Sequence, residues 1–206
     1  MDAPPSSRER LLAAARRLFA THGYNGVSVR DIASAAEVNS ASIGYYFGGK
    51  EGLLTEVYRL AAEPISAERR RRFAELDTRG GATLEELLDA FIRPALAADP
   101  AGDFLRMRTI LSAENAAVFA RLTAESFDAS SRAFIERLAA VLPALPRPAL
   151  LWRFHFLLGT IYYSATGPQR IVALSDGACD PREVDRLLAN LVPFLAAGLR
   201  SPAPAP

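Results

Sequence analysis

Residues 28–53, SVRDIASAAEVNSASIGYYFGGKEGL, constrain this chain more than any other stretch, because they predict two short helices joined by a tight turn. Ser28 suits a helix N-cap, and Asp31 can act as its reciprocal partner. A polar break at 37–39 separates this helix from a second one, predicted over 40–47. A helix of barely two turns is marginal alone in water, so its neighbours must hold it. The arrangement is typical of a helix-turn-helix, whose second helix enters the major groove of DNA.

Helices are predicted along nearly the whole chain, and no stretch reads as a strand. Ser6 and Thr83 each begin a capping box whose acidic partner lies three residues further on. The helix that starts at Lys50 should end at Pro64, because proline disfavours the helical conformation of the residue before it, and Ser66 should cap the next helix. The other predictions are helices over 84–99, 103–114, 117–142, 148–165 and 181–199, with a loop over 167–180.

The last two predicted helices, 148–165 and 181–199, are apolar round most of their circumference. A helix of this kind is buried, either inside a large core or against another subunit. In a chain of this size we expect a homodimer that forms through these two helices.

Charge does not by itself point to nucleic acid, because the net charge is +1 and residues 1–58 contain six basic and six acidic side chains. Contacts to DNA would have to come from a few well-placed groups and not from a broad basic patch. Lys50, the only lysine in the chain, is one such group.

Several classes of protein do not fit this sequence. The single cysteine, Cys179, leaves no internal disulfide, and no Cys/His spacing predicts a metal site, so we expect no cofactor. No signal peptide is visible, and the longest apolar stretch, 149–163, is too short to span a bilayer. A cytoplasmic protein without a membrane partner is therefore expected. Catalytic signatures such as GxSxG or HExxH are absent and only two histidines occur, so we do not expect an enzyme.

Residues 8–58 resemble the DNA-binding domain of the tetracycline-repressor (TetR) family of bacterial transcriptional regulators. The matching pieces are AAARRLFATHGYNGVSVRDIASAAEV and the aromatic block IGYYFGGKEGLL. The order and spacing of helix, Gly-Tyr, capped helix, turn, aromatic block and Lys-Glu agree throughout, which makes the match far more specific than one short motif.

The resemblance implies an all-α dimer that regulates transcription, most often as a repressor. Residues 1–58 would form a three-helix helix-turn-helix domain that reads double-stranded operator DNA. Residues 59–200 would form a larger helical domain that dimerises and binds a small effector, and 201–206 would be a disordered tail. A helical carrier or sensor of an apolar ligand, without DNA binding, is the alternative.

The resemblance also assigns residues to the DNA contact by position. Ser28 and Lys50, at two helix starts, would contact phosphate groups, and Tyr45 and Tyr46 fall where the family packs against the DNA backbone. The residues at the start of the second helix, where contacts to base edges are usual, are Asn39, Ser40, Ala41 and Ser42.

Three residues depart from the family pattern. Gly44 stands where a larger side chain is common, Tyr46 where histidine is frequent, and Glu37 where the turn often carries glycine. Because glutamate tolerates a positive φ poorly, the turn could differ slightly from that of other members. Together these departures leave the operator sequence open.

The C-terminal half is loosely similar to the subgroup that responds to long-chain fatty acids or their CoA esters, so a lipid-like effector is one expectation. Each candidate effector residue could instead be plain core, and His155 could be an interior or interface histidine. The candidates are Phe104, Met107, Arg108, Phe119, Phe127, Trp152, His155 and Tyr162. The basic run Arg69 to Arg72 should form a solvated face that pairs with Glu68 and Glu75.

Overall fold

A computed structural model describes residues 4–99 and 102–203 of the chain. These residues form ten α-helices and no strand, which confirms the all-α prediction. Residues 204–206 of the predicted disordered tail lie outside the described ranges. The helices are α1 (Ser7–His22), α2 (Val29–Ala35), α3 (Ala41–Phe47), α4 (Lys50–Thr78), α5 (Leu84–Ala97), α6 (Asp103–Glu114), α7 (Ala116–Val141), α8 (Arg147–Thr166), α9 (Pro168–Leu174) and α10 (Val184–Arg200).

Three predicted capping boxes start three of these helices. In each box the N-cap hydroxyl accepts a hydrogen bond from a backbone N–H three residues on, and that residue's carboxylate accepts one from the N-cap N–H. The pairs are Ser6–Glu9, Ser28–Asp31 and Thr83–Glu86. Each box satisfies donors that a helix start would otherwise leave without a partner, so the starts of α1, α2 and α5 are fixed locally.

The prediction that Pro64 ends a helix is wrong, because α4 runs through Pro64 and through Ser66, which was expected to cap a new helix. A proline inside a helix costs about 3 kcal/mol. That cost is offset by burial on both sides of the proline, where Tyr58 is 0% exposed and Phe73 is 3% exposed. Burying one such side chain contributes roughly 1.5–3 kcal/mol. Packing of buried side chains along a long helix has therefore overridden the local signal.

Two predictions about the C-terminal region are also wrong. The segment 167–180 is not a loop throughout, because α9 occupies part of it, with Pro168 in its first turn and buried. Proline is well tolerated at that position, where the missing N–H would have no partner in any case. The last helix begins at Val184, and Pro181 lies in the turn before it instead of in the first helical turn.

The chain packs as two compact units. Unit 1 contains the residues up to Glu63 together with Asp103–Ser126, and unit 2 contains Pro64–Gly102 and the residues from Phe127 onward. The N-terminal unit thus includes α6 and the first part of α7 as well as the helix-turn-helix. The division into a DNA-binding domain over 1–58 and an effector domain over 59–200 stays a prediction about function.

Unit 1 is built around α1, which packs on α2, α3 and α6. Its core is formed by apolar side chains that are fully shielded from solvent, with Ile43 as the buried residue of α3. The others at 0% exposure include Leu11, Phe19, Ile32, Leu53 and Leu54. The short α3 is therefore held to the unit mainly by one deeply buried side chain, while Ser42 and Phe47 are half-buried and its other residues are exposed.

In unit 2, α5 packs on α10, and α10 packs on α8. The centre of its core is a stack of two phenylalanine rings, Phe91 and Phe134, with centroids 4.1 Å apart and planes 10° from parallel. Both side chains are 0% exposed. Within residues 4–99 and 102–203, none of the helices combines the length and the hydropathy that a membrane span needs.

The predicted solvated face of the basic run is confirmed in part. Arg71 pairs with Glu68 and Glu75, and Arg72 also pairs with Glu68. Hydrogen bonds from the two arginines hold the pKa of Glu68 at about 2.

Arg69 differs from its neighbours, and the expectation that it faces solvent is wrong. It is 5% exposed, with its guanidinium 3.8 Å from the Phe91 ring centroid. Its Nε donates a 2.8 Å hydrogen bond to the Phe91 carbonyl oxygen. A long side chain that stacks on an aromatic ring and satisfies a carbonyl can be buried, which a count of charges along the sequence does not reveal.

Replacing Phe134 by alanine should lower the free energy of unfolding by about 3–5 kcal/mol, because it removes a fully buried ring and leaves a cavity against Phe91. Chemical denaturation followed by circular dichroism measures the change. Leu174→Ala, at a side chain 71% exposed, is the control and should shift the value by less than about 0.5 kcal/mol. Equal effects of the two substitutions would contradict this description of the core.

Candidate nucleic-acid interface

The predicted phosphate contact Ser28 lies at the start of α2, on the surface. Its Oγ accepts a 3.1 Å hydrogen bond from the Asp31 N–H, and the Asp31 carboxylate accepts a 2.7 Å bond from the Ser28 N–H. The Ser28 hydroxyl and N–H hold the pKa of Asp31 below its ordinary value. The stabilisation from this box is therefore present above the ordinary Asp pKa and is lost as the pH falls below it.

The turn between α2 and α3 keeps a left-handed backbone although it lacks glycine. Glu37 has a φ of 53°, in the region that glycine adopts most easily. The next residue, Val38, donates its N–H to the Ala33 carbonyl oxygen at 3.0 Å, which closes the turn. The departure at Glu37 therefore leaves the helix-turn-helix intact.

The start of α3 is capped by Asn39, not by Ser40. The Asn39 Oδ1 accepts a 2.8 Å hydrogen bond from the Ala41 N–H, and its carbonyl accepts a 3.0 Å bond from the Ser42 N–H. Ser40 makes no side-chain cap. Of the four residues predicted to meet base edges, Asn39 thus also has a structural role, and its side-chain oxygen is already engaged.

The outer face of α3 presents two tyrosines to solvent. Tyr45 is 84% exposed and Tyr46 is 42% exposed, and their ring centroids lie 5.0 Å apart, edge to face. Gly44 beside them is exposed, and a Cβ built there would meet open space. This face therefore offers two phenolic hydroxyls and rings on a surface that nothing in the described chain covers.

The corner from α3 into α4 is tight because glycines form it. Gly48 ends α3 with φ 71° and donates its N–H to the Gly44 carbonyl oxygen at 3.0 Å. A Cβ on Gly52 would collide with the Phe47 carbonyl oxygen. The corner brings Lys50, the first residue of α4, close to the end of α3.

Lys50 is half-buried and is held over an aromatic ring. Its Nζ lies 4.2 Å from the centroid of the Tyr24 ring, and that ring packs against Phe19 at 5.8 Å. Burial lowers the pKa of Lys50, whereas the carboxylates of Glu114 and Asp31 favour its charged form. The result is a cation with a defined position, which is what a phosphate contact requires.

Two residues of this surface were missed by sequence reasoning. Tyr24 follows the glycine that ends α1; the sequence match includes this Gly-Tyr pair but did not predict the contact of the Tyr24 ring with Lys50. Glu114 accepts hydrogen bonds from the Tyr24 and Asn25 N–H groups at 2.7 and 3.2 Å. Its contact joins residues about ninety positions apart, so no local sequence pattern predicts it.

The eight candidate effector residues are divided between the two units. In unit 1, Phe104 and Met107 are buried, and Arg108 places its guanidinium 5.7 Å from the Phe104 ring and 5.6 Å from the Phe119 ring. In unit 2, Phe127 is buried and Tyr162 is half-buried.

Trp152 and His155, the other two candidates, lie edge to face on an exposed side of α8. Trp152 is 63% exposed. Because solvent reaches both side chains, these two candidates differ from the other six, which are buried or half-buried.

The all-helical fold and the capped, exposed α3 beside Lys50 define a helix-turn-helix DNA-binding protein. The family profile described as "Bacterial regulatory proteins, tetR family" matches residues 11–57, and the profile "Tetracyclin repressor-like, C-terminal domain" matches residues 89–198. The chain belongs to the tetracycline-repressor family. Members of this family are DNA-binding regulators and not enzymes, and they act as dimers with small-molecule effectors. This confirms the predicted class of protein, a transcriptional regulator.

Individual relatives agree with this assignment. The transcriptional regulator YttP of Bacillus subtilis is 36% identical over 83 residues, 40% of this chain and 39% of that protein. The transcriptional repressor AcnR of Corynebacterium glutamicum is 41% identical over 58 residues, 28% of this chain and 31% of that protein. The chain therefore spans about two fifths or less of these relatives. A TetR-family regulator from Bordetella parapertussis shares the fold, with a TM-score of 0.71 and 20% identity over 93% of this chain and 95% of that chain.

Replacing Asn39 by alanine should lower the free energy of unfolding by about 1 kcal/mol, because α3 loses the acceptor for its Ala41 N–H. Asn39→Asp keeps an oxygen at that place and should retain most of the stability. Denaturation and amide exchange at Ala41 measure the two effects. If Asn39→Ala were as stable as the unaltered chain, with equal protection of the Ala41 amide, the capping role would be wrong.

Proposed function

We propose that this chain is a ligand-responsive transcriptional regulator that binds palindromic operator DNA as a homodimer and is released from it by a small effector. Repression is the favoured mode. The observation that carries the proposal is the pairing of an exposed α3, 84% exposed at Tyr45, with a positioned cation at Lys50. We also propose a cytoplasmic location, because a regulator of this kind must reach its operator DNA.

In this proposal α3 is the recognition helix. Ser40, Ala41 and Ser42 at its exposed start would approach base edges, and the Asn39 side-chain amide would donate, since its oxygen caps the helix. These small side chains let the helix approach the floor of the groove closely. The base contacts would be few, because Gly44 offers no side chain.

Phosphate contacts would supply most of the affinity. Ser28 and Lys50 would contact the backbone from two helix starts, and the hydroxyls of Tyr45 and Tyr46 would add hydrogen bonds to it. Because the net charge of the whole chain is only +1, a wrongly placed duplex would be held weakly. Affinity would therefore depend on the placement of these few groups.

The proposed dimer uses the exposed faces of α8 and α10. Phe156 and Phe194 are 60% and 69% exposed, and they line a groove of about 420 Å³ on one side of unit 2. Cβ atoms built at Gly159 and Gly198 would meet open space, so a second pair of helices could approach closely there. A second copy of this chain would cover large apolar side chains that the single chain leaves in water.

The effector class is proposed as an apolar compound with an anionic head, such as a long-chain fatty acid or its CoA ester. Arg108 supports this choice, because it is 8% exposed and its guanidinium lies 5.5–5.7 Å from the rings of Tyr58, Phe104 and Phe119. A cation in apolar surroundings suits the head group of such a ligand. Phe104, Met107 and Phe119, in the same unit as Arg108, are the candidates for contacts to the apolar part, and Trp152 and His155 are assigned to the dimer face.

Release from DNA would occur by a population shift. The effector would favour a dimer whose two α3 helices no longer match successive major grooves. α4 would transmit the change, because it begins at Lys50 and continues unbroken to Thr78 through Pro64. A carrier of apolar ligands without DNA binding is the second candidate, favoured only by the apolar and aromatic surroundings of Arg108.

The test is a titration of the purified chain against DNA from immediately upstream of its own gene, with excess nonspecific competitor, followed by selection from random-sequence DNA. We expect a discrete, competitor-resistant complex with a palindromic footprint. Acyl compounds should then dissociate this complex. Only weak, salt-sensitive binding to every DNA, together with a co-purified lipid, would favour the carrier.

Lys50→Ala should weaken operator binding and reduce the slope of log K against log salt by about one for each half-site, because one phosphate contact is lost in each. Arg70→Ala is the matched control, since it removes the same charge about 30 Å further along α4. Its affinity and salt slope should stay close to those of the unaltered chain. An unchanged salt slope for Lys50→Ala would contradict the phosphate role.

Phe194→Glu should convert the dimer to a monomer and abolish cooperative binding to the palindrome, because a carboxylate would be buried in the proposed interface between the two copies. Analytical ultracentrifugation measures the mass. The control is Leu174→Glu, which places the same group at a side chain 71% exposed on α9. If the Phe194→Glu chain stays dimeric, the dimer interface does not include this face of α8 and α10.

A further inference from the structure

Glu114, the last residue of α6, contacts the loop beside the proposed DNA-binding surface. The proposed function gives this contact no role. Glu114 accepts hydrogen bonds from the backbone N–H groups of Tyr24 and Asn25 through one oxygen, Oε2, at 2.7 and 3.2 Å. These N–H groups belong to the loop that joins α1 to α2. One carboxylate therefore holds the loop from a helix that lies ninety residues further along the chain.

The loop is shaped to receive this carboxylate. Gly23 has a φ of 74°, and a Cβ built on it would collide with the Glu114 Oε1 and come within 2.8 Å of the Ile110 side chain. The absence of a side chain at position 23 is thus what lets α6 approach α1 so closely. Tyr24, the next residue, is held by its N–H to Glu114 and by its ring to Phe19.

Tyr24 in turn sets the position of the cation proposed to contact phosphate. The Lys50 Nζ lies 4.2 Å from the Tyr24 ring centroid, and the Glu114 carboxylate favours the charged form of that lysine. A flexible lysine side chain loses rotamer freedom when it binds, so holding it in place beforehand reduces the cost of the contact. The chain of contacts runs from Glu114 through Tyr24 to Lys50, all within unit 1.

We propose that Glu114 is a positioning residue for DNA binding: its hold on the 23–25 loop places Tyr24 under Lys50 and so fixes the cation that would contact phosphate. This inference rests on the proposed function, and it names the contact that keeps that lysine in place before DNA binds. Because Glu114 ends α6, which packs on α1, the contact also ties α6 to the proposed operator surface.

The sign of the effect separates positioning from plain electrostatics. Glu114 is an anion near a surface proposed to meet phosphate, so removing its charge should strengthen DNA binding if charge alone matters. If Glu114 positions the loop, removing its acceptor oxygens should weaken binding instead. Gln keeps one acceptor oxygen without the charge, whereas Met keeps the bulk over Gly23 without the acceptor.

The experiment compares operator binding by the full-length chain and its Glu114→Gln and Glu114→Met variants across several salt concentrations. Glu114→Met should bind about tenfold more weakly, with a salt slope lowered by about one for each half-site. Glu114→Gln should bind as well as the unaltered chain or better. The control is Glu51→Gln, which removes a carboxylate that pairs with Arg121 at 2.9 Å; its affinity should be unchanged or higher.

A double-substitution cycle with Lys50→Ala completes the test. If Glu114 acts through Lys50, adding Glu114→Met to Lys50→Ala should weaken binding by less than twofold further, which is non-additive. Additive losses, or an unchanged salt slope in Glu114→Met, would reduce Glu114 to a structural role and overturn the inference. Denaturation of each variant identifies a general loss of folding. If Glu114→Met does not fold, Glu114→Gln decides alone: loss of protection at its Tyr24 and Asn25 amides with unchanged operator binding would overturn the inference.

Operator binding by the unaltered chain is measured first. Its absence would overturn the proposed function and this inference together. Normal binding by the unaltered chain and by Glu114→Met would overturn this inference alone.

Discussion

A helix of seven residues cannot hold its own shape in water, and the DNA-binding surface depends on how α3 is held. Asn39 caps its start, Ile43 anchors its inner side at 0% exposure, and Gly48 and Gly52 allow the sharp corner into α4. With one side fixed in this way, the other side is available to a partner. The exposed tyrosines beside Lys50 are a consequence of that arrangement.

In unit 1, this surface is supported by one helix that is distant in sequence, α6, and by one that follows α3 directly, α4. α6 packs along α1, and its terminal Glu114 holds the loop that supports Tyr24. α4 starts at the surface and continues to Thr78. The proposed DNA-binding surface is therefore tied to its neighbours in two ways, by the continuous α4 and by the pair of hydrogen bonds that Glu114 accepts.

Sequence reasoning was most successful where the signals are local. The Ser28–Asp31 capping box, the polar break at 37–39 and the start of α4 at Lys50 depend on neighbours within a few residues, and each could be read from residue types. Pro64 shows the limit, because the burial of Tyr58 and Phe73 on either side outweighs a local helix stop. Arg69 and Glu114 show it again, since their roles depend on an aromatic ring and on a loop that only the folded chain brings to them. Effector residues are the least accessible to this reasoning, because a buried phenylalanine has the same pattern in a plain core and in a pocket wall.

Amide hydrogen exchange with and without operator DNA tests the central claim most directly, namely that α3 is held by its neighbours beforehand and then inserted into the groove. The account predicts that amides of α3 are already protected in the free chain, and that DNA adds protection at the starts of α2 and α4, at the outer face of α3 and in the 23–25 loop. Rapid exchange throughout α3 in the free chain, or DNA-dependent protection confined to other helices, would contradict it.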